Sequence, residues 1–133
     1  MRRSIHRALL LAATVALAAC SDDNDPASPN PSNNNATDIT WSADASNRRS
    51  SIGQTFMYNC SPNGTFDTVW GTDVYTDDSS ICTAGVHAGK ITRTAGGTVT
   101  IEIRPAQSSY AASTRNGVTT LGYGSWGGSF IVK

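Results

Sequence analysis

The chain is poor in charge, histidine, cysteine and aromatic residues, and each shortage removes a class of function. Its 133 residues carry 10 Lys or Arg and 10 Asp or Glu, with no basic run and no interleaving of basic and aromatic residues. The electrostatic footprint that neutralises a phosphate backbone is therefore missing, which argues against nucleic acid as a partner. Two histidines and three cysteines lack the paired spacing of a structural zinc site, so no metal is expected. Asp67, Asp73, Asp77 and Asp78 supply hard oxygens, but their spacing fits no calcium loop with its glycine and terminal glutamate. Helix-capping and solvated-turn roles are expected for them instead. No nucleophile–base pair, metal set or carboxylate dyad stands at usable spacing, so neither catalysis nor a cofactor is expected. The apolar run at residues 8–19 is too short to span a bilayer.

That run is informative in another way. Arg2, Arg3 and Arg7 precede it, and the small residues Leu17-Ala18-Ala19 lead into Cys20. A positive start, a short apolar segment and small residues before a cut describe a secretory signal peptide over residues 1–19. The cysteine directly after LAA resembles a bacterial lipobox, in which Cys20 becomes the first mature residue and is acylated; the alternative is an ordinary signal peptide followed by a chance cysteine. Removal of residues 1–19 leaves 7 basic against 10 acidic residues, a balance of about −3. If Cys20 carries lipid, Cys60 and Cys82 remain as a pair, in an oxidising compartment where a disulfide persists. Residues 20–38 follow as the lipidated cysteine and a polar, proline-bearing tether that cannot bury enough surface to order itself. As a flexible coil it would hold residues 39–133, the folded domain, about 25 Å from the anchor. Ser21 is compatible with sorting to an outer membrane, periplasmic or surface-facing.

Within the domain, Gln54 to Asn59 alternates with period two and reads as a strand running into Cys60, followed by the turn chemistry of Ser61-Pro62-Asn63-Gly64. Phe66 to Trp70 reads as another short strand. Thr98 to Arg104 is the clearest strand, with Val99, Ile101 and Ile103 on one face, and Pro105 stops it. Asn116-Gly117 marks a turn before strands at Val118 to Tyr123 and Ser129 to Val132, the last with Phe130 and Val132 inward. Between these lies one helix. Asp77, Asp78 and Ser79 can accept from its first turn, so it is expected to start near Ser79 and to end at Gly89, about three turns later. No charged residue lies on either face, as expected of a core helix packed on several sides. Several strands around one helix give an α+β fold.

The same stretch carries a family resemblance. Val69-Trp70-Gly71, Val74-Tyr75, Ser79-Ser80-Ile81-Cys82, Ala84, His87, Gly89 and Ile91 resemble the signature of the LCCL domain, a module of secreted and envelope proteins. The similarity continues through Gly96-Gly97, Tyr110, Asn116-Gly117, Trp126 and Ser129-Phe130. Gly85 stands where alanine is usual, and one cysteine bridge is available where animal members have two. The resemblance implies a single short central helix wrapped by two curved, mainly antiparallel β-sheets. Tyr75, Ser80, Ile81, His87 and Gly89 are then structural residues of that core.

His87 is the sole histidine after residue 19 and shares a helical face with Ser80, but seven positions place them about 10 Å apart along the axis, too far for a nucleophile and its base. A buried histidine bonded to backbone or hydroxyl is expected. Recognition is better sought in the Gly122–Gly128 run, where glycines let backbone approach a ligand and Tyr123 and Trp126 can stack on sugars or acyl chains, although a tryptophan in a small domain is more often core. Tyr110 with Arg115 is a second candidate patch, for phosphate or carboxylate. The resemblance implies a non-enzymatic envelope module recognising lipopolysaccharide or a related glycolipid or glycan. The alternative is a structural or protein-interaction domain of an envelope complex with no small ligand.

Overall fold

The computed structural model describes residues 35–133. The expected signal peptide, the expected lipidation site at Cys20 and most of the expected tether lie outside the described residues.

Three residues, Thr37–Ile39, form β1 and pair in parallel with β2, Thr55–Cys60. β1 thus takes in Thr37 and Asp38, two positions of the stretch assigned to the tether. β2 runs antiparallel to β5, Gly97–Arg104, through all six of its residues from Thr55↔Glu102 to Cys60↔Gly97. β5 in turn pairs with β8, Ser129–Val132, and β8 with β4, Val74–Thr76, which folds back on β3, Gly71–Thr72. The six-stranded sheet has the order β1-β2-β5-β8-β4-β3, so short strands form both of its edges. A second sheet is a hairpin of β6, Thr114–Arg115, and β7, Val118–Thr119, joined by Asn116-Gly117 with φ of 52° and 78°. Positive φ at both positions is what a two-residue hairpin turn demands and what Asn-Gly accepts.

Alternation builds the core. Val99, Ile101 and Ile103 of β5 are all wholly buried, as are Tyr75 and Phe130, whose ring centroids lie 5.6 Å apart. The one helix, α1, spans Ile81–His87, and every residue in it is buried. It packs against β5 of the large sheet and β7 of the small one, which is why it carries no solvent face. Ser80 is its N-cap, accepting from Thr83 N–H while its own hydroxyl donates to the Trp41 carbonyl at 2.6 Å. At the other end Gly89 takes φ of 75°, Lys90 N–H reaches the Gly85 carbonyl, and Asn116 Nδ2 donates to the His87 carbonyl. Gly89 is exposed, so it ends the helix and is no part of the core. The helix expected from near Ser79 to Gly89 is really seven residues, because Ser80 is its N-cap and Ala88 its C-cap.

Cys60, the last residue of β2, is bonded to Cys82 in the first turn of α1, with Cα atoms 5.8 Å apart. The bridge joins helix to sheet at the point where the chain between them loops out through residues 61–70. That loop holds only an isolated bridge at Trp70, so the strand expected over Phe66 to Trp70 is absent. Side chains satisfy its backbone: Asp67 N–H donates to Thr83 Oγ1 and Trp70 N–H to Ser79 Oγ, both at 3.0 Å. Likewise the expected strand from Val118 stops at Thr119, for reasons that create the site described next.

Candidate functional site

The segment from Leu121 to Trp126 touches two stretches of chain, residues 69–71 and 107–110, through three single bridges. Leu121 N–H donates to the Val69 carbonyl and its own carbonyl accepts from Gly71 N–H, both at 2.9 Å. Tyr123 and Tyr110 exchange both backbone hydrogen bonds, at 2.8 and 3.0 Å, and Trp126 N–H reaches the Gln107 carbonyl. In a strand paired along its length, successive side chains alternate between two faces. This segment is paired only at single residues, and its Tyr123 and Trp126 rings stand at 87° to each other.

The result is a cleft of about 200 Å³ lined by Trp70, Thr76, Asp78, Tyr123 and Trp126. Tyr123 stands edge-on to both tryptophans, 6.5 Å and 70° from Trp70, 5.6 Å and 87° from Trp126. Tyr123 is half-exposed, and the two indoles are partly so. Edge-to-face rings are a favoured aromatic arrangement, and ring faces left to solvent in a concave site are surfaces on which a sugar face, an acyl chain or a cation can sit.

Asp77 supports the cleft from beneath. Its carboxylate is fully buried and takes a fork of two bonds from Arg49, Nε at 2.6 Å and an Nη nitrogen at 2.8 Å. The Trp126 indole N–H donates to the same carboxylate at 2.8 Å, which orients that ring. Burial alone would raise the Asp77 pKa, but the bonds from Arg49 and Trp126 outweigh it and hold the carboxyl below its ordinary range. Gly128 is needed here for space: a Cβ on it would lie 2.0 Å from Asp77 Oδ2 and 2.8 Å from Arg49 Nε. Arg49 also passes over the Trp126 ring, 5.7 Å from its centroid. The capping or turn role expected of Asp77 is therefore corrected. It is the buried half of an ion pair with the half-exposed Arg49, and it positions a wall of the cleft.

Other residues singled out from sequence have different fates. Tyr110 is buried, its hydroxyl accepting from Gln107 N–H and donating to the Gly128 carbonyl, so it is a strut behind the cleft and not a ligand contact. Arg115 is exposed on β6 and pairs with Asp73, so the patch imagined between it and Tyr110 does not form. Asp67 accepts from Thr68 N–H. A larger groove of about 390 Å³ is lined by Asp73, Val74, Tyr75, Ala88, Lys90, Ile131 and Val132. Its charged residues are of opposite sign and it lacks exposed aromatic faces, so the smaller aromatic cleft is the better candidate. Trp70 was not anticipated there, because nothing in its local sequence distinguishes a cleft tryptophan from a core one.

His87 is wholly buried between hydroxyls, with Tyr75 Oη 2.9 Å from Nδ1 and Ser113 Oγ 3.1 Å from Nε2. The donors in this chain can be assigned from its far end. Thr72 Oγ1 donates its one proton to the Ala111 carbonyl, so Ser113 must donate to Thr72 and accept from His87 Nε2–H, leaving Nδ1 to accept from Tyr75. Burial, chiefly, lowers the His87 pKa, with the Arg115 charge acting the same way, and burial raises that of the Tyr75 hydroxyl and keeps it a donor. Because the folded value lies below the ordinary 6.5, the stability that neutral His87 contributes is whole above that pH. It declines as pH falls from there toward the folded value. Nitrogen-15 spectra at neutral pH are expected to show the Nε2–H tautomer, with unfolding free energy dropping as buffers are taken from pH 7 to 5. An Nδ1–H tautomer, or stability flat across that range, would contradict the assignment.

Among the described residues no cluster of three or more metal-ligating side chains occurs, and no helix is long and apolar enough to cross a membrane. Comparison with known proteins places the domain in a wider setting. Vitrin of Homo sapiens is 40% identical over 84 residues, 61% of this chain and 12% of that protein. The human cysteine-rich secretory protein LCCL domain-containing 2 is 43% identical over 56 residues, 42% of this chain and 11% of that protein. Clotting factor C of Tachypleus tridentatus is 37% identical over 70 residues, 50% of this chain and 7% of that protein. The chain thus spans about an eighth or less of the length of these relatives, matching one module of each. The family model for the LCCL domain matches residues 35–130, nearly all of the described structure, and with its buried helix between two sheets the chain belongs to the LCCL domain family.

Proposed function

We propose that this protein is an exported, non-enzymatic binding module, anchored to a bacterial envelope through acylated Cys20. It takes glycans or glycolipids, lipopolysaccharide among them, in the cleft of Trp70, Tyr123 and Trp126. The observation that carries the reading is the set of three partly exposed rings at steep mutual angles around a concave site. Such rings offer apolar faces to the C–H side of a sugar, while Asp78 can accept from its hydroxyls.

A non-enzymatic role is supported by where the reactive groups are. His87 is sealed from solvent with both ring nitrogens bonded, and the Ser80 hydroxyl is taken up by the Trp41 carbonyl and Thr83. Export is supported by the leader at residues 1–19 and by a relative named as a secretory protein. Anchoring rests on Cys20 following Leu17-Ala18-Ala19, and an outer-membrane location on Ser21.

Two of the chain's three tryptophans line the cleft, so fluorescence of the purified full-length chain reports its occupancy. Titration with lipopolysaccharide and with oligosaccharides is expected to give a saturable change. Tyr123→Ala should weaken binding about tenfold, the scale of one aromatic contact. It should leave the melting temperature nearly unchanged, since the ring is half-exposed while the backbone bonds of Tyr123 persist. Silence with every glycan, with envelope proteins recovered by crosslinking, would replace the reading with a protein-interaction role. In cells, Cys20→Ser should move the protein from the membrane to the aqueous fraction; unchanged partitioning would remove the anchor.

A further inference from the structure

Resting on that reading of the cleft, we infer that the group entering it is a protonated amine carried by a sugar ring, held between the aromatic faces and the carboxylate of Asp78. The argument is one of charge. Of the acids near the cleft, Asp77 is neutralised one for one by Arg49. Asp78, which lines the cleft, accepts no hydrogen bond and forms no ion pair among the described residues. The field it shares with Arg49 comes from a guanidinium already joined to Asp77. The lining is therefore the rings of Trp70, Tyr123 and Trp126, the last with Arg49 over it, and the carboxylate of Asp78; Asp77 and Asp78 together outnumber that one guanidinium by a single negative charge.

The Trp70 and Tyr123 rings and the Asp78 carboxylate favour a cation. Ring faces attract positive charge through their quadrupole, tryptophan most of all, and low-dielectric walls concentrate the field of a single carboxylate. The same lining repels phosphate, so a phosphorylated glycolipid would be gripped by its sugar and not by its phosphate groups. Size limits the guest as well: about 200 Å³ is below the roughly 300–1,000 Å³ of pockets that enclose a whole small molecule. The cleft suits one residue of a longer saccharide.

The test compares three probes on the purified full-length chain by tryptophan fluorescence, buffered so that free amines are protonated. They are a β-1,4-linked glucosamine tetrasaccharide, its fully N-acetylated counterpart and phosphocholine. The glucosamine oligomer is expected to bind about tenfold more tightly than the neutral one, the scale of a partly desolvated cation–π contact with a carboxylate beside it. Asp78→Asn keeps the shape and removes the charge, and should bring the two saccharides within about twofold of each other. The preference should also weaken with added salt. Equal binding of both saccharides by the unmutated chain would overturn the amine assignment and leave glycan binding standing. Failure of all three probes would overturn both. Phosphocholine binding more tightly than the glucosamine oligomer would overturn the sugar as the source of the amine. A preference that persists in Asp78→Asn would overturn the role of that carboxylate, and Tyr123→Ala then tells whether the rings alone select the amine.

Discussion

Replacing Asp77 with alanine is expected to destabilise the domain by about 3 kcal/mol, measured by urea unfolding, and to abolish the fluorescence response to glycans in the same preparation. Breaking a buried ion pair by removing one partner typically costs about 3–5 kcal/mol, because the other charge is stranded. Here the stranded charge is that of Arg49, whose side chain is 46% exposed and can be rehydrated, which puts the expectation at the lower end. The Trp126 N–H also loses its acceptor and the ring its orientation, so binding and stability should fall together. Trp126→Phe separates the two effects: it keeps an aromatic face, removes one hydrogen bond worth about 1 kcal/mol, and should impair binding more than stability. An Asp77→Ala domain within 1 kcal/mol of the parent would mean that the fork from Arg49 contributes little.

Loss of the Cys60–Cys82 bridge should have an effect of the same size by a different route. The two cysteines are 22 positions apart, and closing a loop of that length in the unfolded chain is worth about 3 kcal/mol on the chain-entropy model. For a domain of about this size that corresponds to a fall in melting temperature on the order of 15 °C, measurable on the Cys60→Ser/Cys82→Ser double variant. Both cysteines are buried, so reductant added to the folded protein should act only slowly, whereas reduction after unfolding should block recovery of the original midpoint. A double variant melting within about 3 °C of the parent would show that helix and sheet are joined well enough by packing alone.

Where the sequence could be read, it was because one local rule acted without competition. β5 was legible since Val99, Ile101 and Ile103 alternate with polar residues and Pro105 cuts it short, and β8 since Phe130, Ile131 and Val132 form a short apolar run after the glycines. The turn between β6 and β7 was legible, though β6 itself was not, because Asn-Gly is one of few pairs that accept positive φ twice. Competition explains the misreadings. Asp77, Asp78, Ser79 and Ser80 are four consecutive residues able to cap a helix, and only geometry shows that Ser80 does so while Ser79 turns to the Trp70 backbone. The strand expected over Phe66 to Trp70 failed because hydroxyls of Ser79 and Thr83 serve its N–H groups, a substitution that no periodicity reveals.

The cleft was half legible. Tyr123 and Trp126 stood out in their glycine-rich run, and the structure brings them together with Trp70. Asp77 could not be paired with Arg49 from sequence, because the two are 28 positions apart and Arg49 follows a 3-10 turn, Ser46–Arg48, with no pattern of its own. Glycine was expected in this run for the sake of a ligand. At Gly128 the close neighbour is instead the protein's own carboxylate.

The large sheet is bounded by Thr37–Ile39 on one side and Gly71–Thr72 on the other. Strand-to-strand aggregation needs a long, flat row of unsatisfied backbone groups as its template, and a margin of two or three residues, one of them bearing the Asp38 carboxylate, provides hardly any. Copies of this domain at high concentration thus collide without being stitched into fibrils through these edges.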